Sequence, residues 1–387
     1  MKKIFCILIL VFCILFPSFA EESFYQTIIN ASYLGDFAYG TFPLSLWADF
    51  GVSGIQFIPG VSTKVYARVE AGLTERGLKQ YPSTGDIIPV DQTGGSYSVA
   101  FSDGSIVLEQ GVLADEERPG HDQVSISVSL RMRWEQAFAT FDDIRNENGN
   151  GIFGNDALFP VVDGFYLGTP ELSGNRYFLS NSFGVSATYD KYYSDYLAPN
   201  GFKMTTNMVF APFWLANDLE LFDGAKTDAY RIRLSGQYDY TFFDKKSRSG
   251  KNLYSMYVTA NTSMTFLFGS AIPRYMQDKS FIGKSIVPRL FYWDLYGKLQ
   301  FNGPEFLTLG TYPAVYVFMQ QGLNAGKVIN SNSSVSAEFY GGVGVGAQLT
   351  LIGYLRAFVE YAYIYTPIMG EEVGHKFNMG CYFTMIF

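Results

Sequence analysis

One pattern recurs along almost the whole chain. Apolar and polar side chains alternate over segments of about ten residues, separated by polar or glycine-bearing connections. Val124, Ile126, Val128, Leu130, Met132 and Trp134 make one face of such a segment, and Ser125, Ser127, Ser129, Arg131, Arg133 and Glu135 make the other. Tyr230, Ile232, Leu234, Gly236, Tyr238, Tyr240 and Phe242 oppose Arg231, Arg233, Ser235, Gln237, Asp239 and Thr241 in the same way. The run from Tyr254 to Phe268 sets its apolar positions against Ser255, Tyr257, Thr259, Asn261, Ser263 and Thr265. Successive side chains of a strand point to opposite faces of a sheet, so this period predicts strands with one apolar face. Wound as helices, the same stretches would put arginines and leucines on the same face.

Fourteen segments follow the rule, at 25–35, 41–52, 62–73, 96–108, 122–135, 181–191, 202–212, 228–243, 252–268, 288–301, 306–319, 333–351, 354–366 and 375–387. The first two and the fourth alternate least, so twelve is the other possible count. Connections counted back from the last segment fall into two sets. One holds 367–374, 320–332, 269–287, 213–227, 136–180 and 74–95; the other holds 352–353, 302–305, 244–251, 192–201 and 109–121. The first set is longer on average, with 36–40 as an exception. A membrane barrel has short turns at its periplasmic end and longer loops outside, and the parity fits that topology.

Composition then says what the apolar faces meet. Aromatic residues make up 17% of the chain and 39 positions are glycine, yet beyond the N-terminal leader no run of about twenty apolar residues could span a bilayer as a helix. Gly341 to Val359 comes nearest and is interrupted by Gln348 and Arg356. A soluble β-sandwich shares the alternation, but here the apolar faces are nearly continuous and the polar faces carry charges on many strands. The expected fold is all-β: a single transmembrane antiparallel up-and-down β-barrel of about 14 strands, 12 being possible, over residues 21–387.

Residues 1–20 read as a cleaved signal peptide. Lys2 and Lys3 precede an unbroken apolar run from Ile4 to Phe16, and Ser18 and Ala20 supply the small residues of a cleavage site after Ala20. That run is too short for a membrane helix, and Cys6 and Cys13 lie inside it rather than at a lipoprotein cleavage site. Without the leader, Cys381 is the one cysteine, so no intramolecular disulfide forms. The formal charge, −8 for the whole chain, becomes two units more acidic, which argues against nucleic acid as a partner. Two histidines are too few for a multi-histidine metal site, and no cofactor is implied. The expected location is the bacterial cell outer membrane, with the long loops outside and lipid around the wall.

The last segment, Asn378-Met-Gly-Cys-Tyr-Phe-Thr-Met-Ile-Phe387, resembles the C-terminal assembly signal of bacterial outer-membrane β-barrel proteins. Asn378 fits the polar position of that signal and Gly380 its glycine. Phe383 and Met385 fit the hydrophobic pair, and Phe387 is the final aromatic residue. The resemblance implies that the barrel-assembly machinery reads this strand. Fourteen strands are also similar to the architecture of long-chain fatty-acid transporters and some monomeric porins. The N-terminal plug and Asn-Pro-Ala motif of the fatty-acid transporters have no counterpart here.

Eight strands fill their own interior, whereas about fourteen leave room for a lumen. Its wall is expected to carry Lys64, Arg68, Arg131, Arg133, Arg231, Arg233, Lys298 and Arg356 opposite Glu70, Asp239, Asp294, Glu338 and Glu360. These charges either tune solute preference or stitch the lumen shut. By analogy with the third outer loop of porins, Asp142, Asp143 and Glu147 of 136–180 are expected to fold in and form a constriction with Arg131 and Arg133. Asn146-Glu-Asn-Gly-Asn-Gly151 has a faint calcium-loop spacing but lacks the leading Asp and the bidentate Glu, so it reads as a polar turn. His121-Asp122 and Asp142-Asp143 are the raw material for a catalytic pair, yet the parity places them at opposite ends of the barrel, and no enzyme is expected. His375 opens the last segment as a rim residue. Three functions remain: passive diffusion of small hydrophilic solutes, transport of hydrophobic substrates such as long-chain fatty acids, and a non-conducting adhesin or structural barrel. Solute identity and oligomeric state have no signature in these residues.

Overall fold

Strands account for nearly all of the described chain. The computed structural model describes residues 24–35, 44–55, 57–58, 60–77, 96–118, 120–138, 177–193, 195, 197–215, 228–247, 252–269, 272, 276, 289–306, 310–328, 334–351, 355–367 and 373–386. Residues 1–23 and 139–176, the latter including Asp142, Asp143 and Glu147, lie outside them, as does Phe387. There are fourteen strands: β1 (Phe24–Gly35), β2 (Leu44–Ile55), β3 (Thr63–Gly77), β4 (Ser96–Ala114), β5 (Asp122–Phe138), β6 (Tyr177–Tyr193) and β7 (Asn200–Ala211) form the first half. β8 (Ala229–Lys246), β9 (Asn252–Gly269), β10 (Arg289–Asn302), β11 (Thr311–Val328), β12 (Ser336–Leu351), β13 (Leu355–Thr366) and β14 (Gly374–Ile386) complete the ring.

Each strand pairs antiparallel with its sequence neighbours, and β1 pairs with β14 to close the barrel. The closing register runs from Ile28 opposite Ile386 to Gly35 opposite Met379. The strand carrying the assembly signal is therefore half of the seam. Gly380 lies between Leu34 and Phe358, Phe383 is opposite Ala31 and Leu355, and Met385 is opposite Ile29. Closure removes the sheet edge, which matters because a lipid-facing backbone group has no water to bond.

The alternating pattern sorts as expected. Ile126, Val128, Leu130, Met132 and Trp134 point outward and are exposed, as are Leu234, Tyr238, Tyr240 and Phe242 of β8 and Val343, Val345 and Leu349 of β12. So continuous an apolar belt exceeds any patch tolerated in water and requires lipid. Several register shifts fall near strand ends, between Val52 and Ile55, Gly111 and Ala114, and Lys245 and Lys246, where bulges bend a barrel rim without disturbing the wall.

β11 departs from expectation, running from Thr311 to Val328 rather than over 306–319. Phe306 instead makes an isolated bridge to Thr311 that closes the turn before it. The polar run Gln320-Gln321-Gly322 reads as a connection, but Gln320 is buried in the lumen and Gln321 extends the outer face toward the long-loop end. The inward face of the same strand is aromatic. Tyr316 and Phe318 are buried, packed with Ala362 and Tyr296 inside the barrel. With Val315, Val317 and Met319 on the outward face, both faces are apolar and the alternation vanishes.

The neighbouring strand is cut to receive those rings. Gly342, Gly344 and Gly346 are inward positions of β12, and a Cβ at Gly346 would overlap the Tyr316 ring, while one at Gly344 would meet Phe318. Overpacking a fitted site costs about 1–3 kcal/mol. Gly346→Ala is therefore expected to lower unfolding stability in lipid vesicles by about that much, and in a Tyr316→Ala background the same change should cost close to nothing. A denaturant titration of the single and double variants measures the coupling.

Candidate functional site

The lumen wall divides into two unlike sectors. Across β2 to β5 it is ionic. Arg68 forks Asp49 with Nε and Nη2 at 2.6 and 2.7 Å, and Lys64 donates to Glu109 at 2.9 Å. Asp103 is shared: Arg131 Nε reaches its two oxygens at 2.8 and 2.7 Å and Arg133 Nη1 reaches it at 3.1 Å. Arg133 also donates to Glu135 at 2.6 Å and lies over the Phe101 ring. Toward the long-loop end Asp103, Arg133 and Glu135 are buried and Arg131 is half-buried, but Arg68 and Lys64 keep 46% and 41% side-chain exposure while pointing inward. Lys203 of β7, paired with Asp190 of β6, keeps 43%.

The sector from β8 to β13 is packed. Tyr292 stacks on Tyr340 with ring centroids 5.9 Å apart, and the Tyr340 hydroxyl donates to Asp294 at 2.9 Å. Asp294 also accepts from Gln320, and both are fully buried. Lower in the barrel, Asp239 accepts from Thr259 and from Gln237 at 2.7 Å, while Glu360 accepts from Tyr316 at 2.9 Å and Asn378 at 2.8 Å. Asp239 also bonds the Tyr192 hydroxyl from β6. β6 and β13 face each other across the ring, yet Arg356 of β13 lies within electrostatic reach of Tyr192.

Both mouths carry covers that the alternation could not foretell. At the short-turn end the β6–β7 connection tucks in. Leu197 is buried, and its carbonyl accepts from Ser255 and from Asn302 at 2.9 Å. At the long-loop end Ile272 and Met276, from the β9–β10 connection, are buried against Val209, Ala211, Ala229 and Leu267. Arg231 bonds the Met276 carbonyl at 3.4 Å and Asn207 at 3.3 Å. Arg231 therefore sits beneath Met276, with Arg233 inward on the same strand β8, while Arg131 and Arg133 sit three strands away on β5. The expected acidic partners Asp142, Asp143 and Glu147 lie outside the described residues. The inward residues that are described, Ile272 and Met276, come from a different connection. The apolar residues of this connection, Ile272 and Met276 among them, were the available signal.

The β4–β5 turn is locked by Arg118. It donates to Asp115 at 2.8 Å and to the carbonyls of Tyr192 and Asp190 at 2.6 and 2.7 Å, joining this turn to the end of β6. The Arg118 guanidinium beside Asp115 holds its carboxyl below the usual carboxylate range. Asp122 is taken by Ser62, whose backbone N–H donates to it at 3.0 Å. His121 is in the same turn, whereas His375 is on the outer wall, stacked on Tyr361 and bonded to its hydroxyl at 2.7 Å. Among the described residues no group of three His, Cys, Asp or Glu side chains could hold a metal ion.

No protein-family model and no curated protein matches the chain. Solved structures do. BamA from Haemophilus ducreyi lacking POTRA domains 1–3 superposes with a TM-score of 0.50 at 9% identity, covering 94% of this chain and 71% of that one. CdiB from Escherichia coli gives a TM-score of 0.48 at 9% identity, covering 94% and 63%. At such identity the likeness is one of fold. The chain has the architecture of bacterial outer-membrane β-barrels.

Removing a carboxylate that two enclosed arginines share should cost far more than removing an exposed one. Asp103→Ala is expected to destabilise the barrel by about 3 kcal/mol, and Glu109→Ala by at most about 1 kcal/mol, in urea unfolding from lipid vesicles. Arg118→Ala should also lower stability near neutral pH. Asp115 has a depressed pKa, so its contribution is full above the ordinary carboxylate range and is lost as pH falls through the folded-state value. The gap between wild type and Arg118→Ala should therefore narrow in acid, leaving the part due to the two carbonyl bonds. Unfolding midpoints across an acid pH series measure it.

Proposed function

We propose that this barrel is an outer-membrane channel for passive diffusion of small hydrophilic solutes. The observation that carries the reading is the inward exposure of Arg68, Lys64 and Lys203, which face the lumen and keep 46%, 41% and 43% of their side-chain surface open. Inward charges with free surface require water inside the wall. The inward faces of β6 and β9 are also polar, though Ser180, Ser182, Ser255, Thr259, Ser263 and Thr265 are buried there. The packed sector and the two mouth covers narrow the passage, so the solutes are small and the wall charges set their preference. Export through the leader, long loops facing outside and assembly through the terminal strand belong to the same reading.

One observation favours the second reading. The apolar cluster of Val209, Ala211, Ala229, Leu267, Ile272 and Met276 at the long-loop mouth is buried, and it would give a hydrophobic substrate an apolar entry once Ile272 and Met276 were displaced. Conductance separates the two. The signal-free protein, refolded and inserted in a planar bilayer, should give small stepwise currents. Arg68→Ala with Lys64→Ala should then shift the reversal potential toward cations. A folded, inserted barrel that never conducts would overturn the channel and leave hydrophobic transport or a surface role.

A further inference from the structure

One stretch of the inner wall combines an aromatic ring with two ion pairs that keep open surface. Lys64, Tyr66 and Arg68 are successive inward positions of β3. Lys64 donates to Glu109 of β4 at 2.9 Å, and Arg68 forks Asp49 of β2 at 2.6 and 2.7 Å. The two pairs therefore lie on opposite flanks of β3, with Tyr66 between them. Register fixes the neighbours of Tyr66 as Gly51 on β2 and Val107 on β4. A Cβ at Gly51 would overlap Tyr66, so the glycine lets the two backbones close up there. Position 51 thus sets no side chain beside the ring, and Tyr66 is half-buried rather than enclosed.

This arrangement suits a neutral solute. Each pair sums to no net charge, and an entering ion would have to break a pair to gain a partner. A hydroxyl breaks nothing, because it donates to the carboxylate and accepts from the cation at once. Hydrogen bonds with a charged partner are also the strong ones. Both cations keep much of their surface open, and Lys64 gives Glu109 one of its three N–H groups. Ser127 opposite Glu109 and Ser105 opposite Arg68 add a neutral hydroxyl beside each pair. An apolar ring flanked by a few placed polar groups is the usual make-up of a small-ligand site. Lys64 and Arg68 stand four residues apart, about 13 Å along the strand at about 3.3 Å per residue. That is close to the length of two linked sugar rings.

We propose that Lys64, Tyr66 and Arg68, with Glu109 and Asp49, form a lumen site for a small neutral sugar of disaccharide size. The proposal deepens the channel reading and rests on it for the route of entry. The Tyr66 ring packs against the C–H face of the sugar, and the two pairs take hydroxyls on either side.

Maltose is the probe, and saturation-transfer NMR on the full refolded barrel reads weak binding without conductance. The micelles are of a detergent with no sugar headgroup. Saturation should pass from the wild-type barrel to the maltose ring protons. Tyr66→Phe keeps the ring and should keep the signal. Tyr66→Leu should weaken binding by roughly tenfold, near the upper range for an aromatic contact. Arg68→Gln and Lys64→Gln should each weaken it by roughly tenfold or more, the loss of a charge-assisted bond. Val69→Ala, on the lipid face of the same strand, should bind as wild type does. Heat-modifiable mobility reports that each variant is folded. No transfer with wild type, or transfer unchanged in folded Tyr66→Leu and Arg68→Gln, would overturn the site. Stepwise currents without sugar binding would also overturn the site and leave the channel standing. Sugar binding by a barrel that carries no current would retain the site and overturn the channel.

Discussion

Everything in this molecule follows from the demand that a strand facing lipid have both edges paired. Water is absent from the hydrocarbon, so each unpaired N–H or C=O costs several kcal/mol. The seam between β1 and β14 meets that demand with a register from Ile28–Ile386 to Gly35–Met379. Once closure is made, the outer face must be apolar and the inner face is free to be anything that fits. Hence Val128 and Leu130 lie outside while Ser127 and Ser129 lie inside the same strand.

The inner face uses that freedom in two ways. From β8 to β13, rings and amides interlock, with Tyr316 and Phe318 seated over the glycines of β12 and Tyr340 on Tyr292. From β2 to β5, arginines share carboxylates. One sector is filled and the other keeps exposed inward charges at Arg68 and Lys64, so the same ring of strands holds a packed core beside an ionic wall. A barrel of this size lies between those that side chains fill and those that remain wide aqueous channels. The segments at Leu197 and at Ile272 and Met276 narrow it further at the two ends.

Much of this was legible in the sequence. β5 and β8 alternate so regularly that face and direction follow from period alone, and Arg68, Arg131, Arg133, Arg231 and Arg233 face inward as their positions imply. Their partners were not legible, because register is a long-range property. Arg68 meets Asp49 and Arg131 meets Asp103 across strands whose stagger no single segment encodes. β11 was misplaced because its inner face is as apolar as its outer one. The relation of Arg356 to Tyr192 depends on closure of the whole ring. Asp142, Asp143 and Glu147, a loop matter by nature, lie where alternation has nothing to say.

The central claim is that one face of each strand meets lipid and the other faces the enclosed lumen. Single cysteines placed at Ser127, Val128, Ser129 and Leu130 of β5, in a chain whose Cys381 is replaced by serine, test it in lipid vesicles. With a membrane-impermeant thiol reagent, positions 127 and 129 should react and 128 and 130 should not. Silence at both inward positions would mean a lumen packed shut, and equal reaction at all four would contradict the membrane barrel itself.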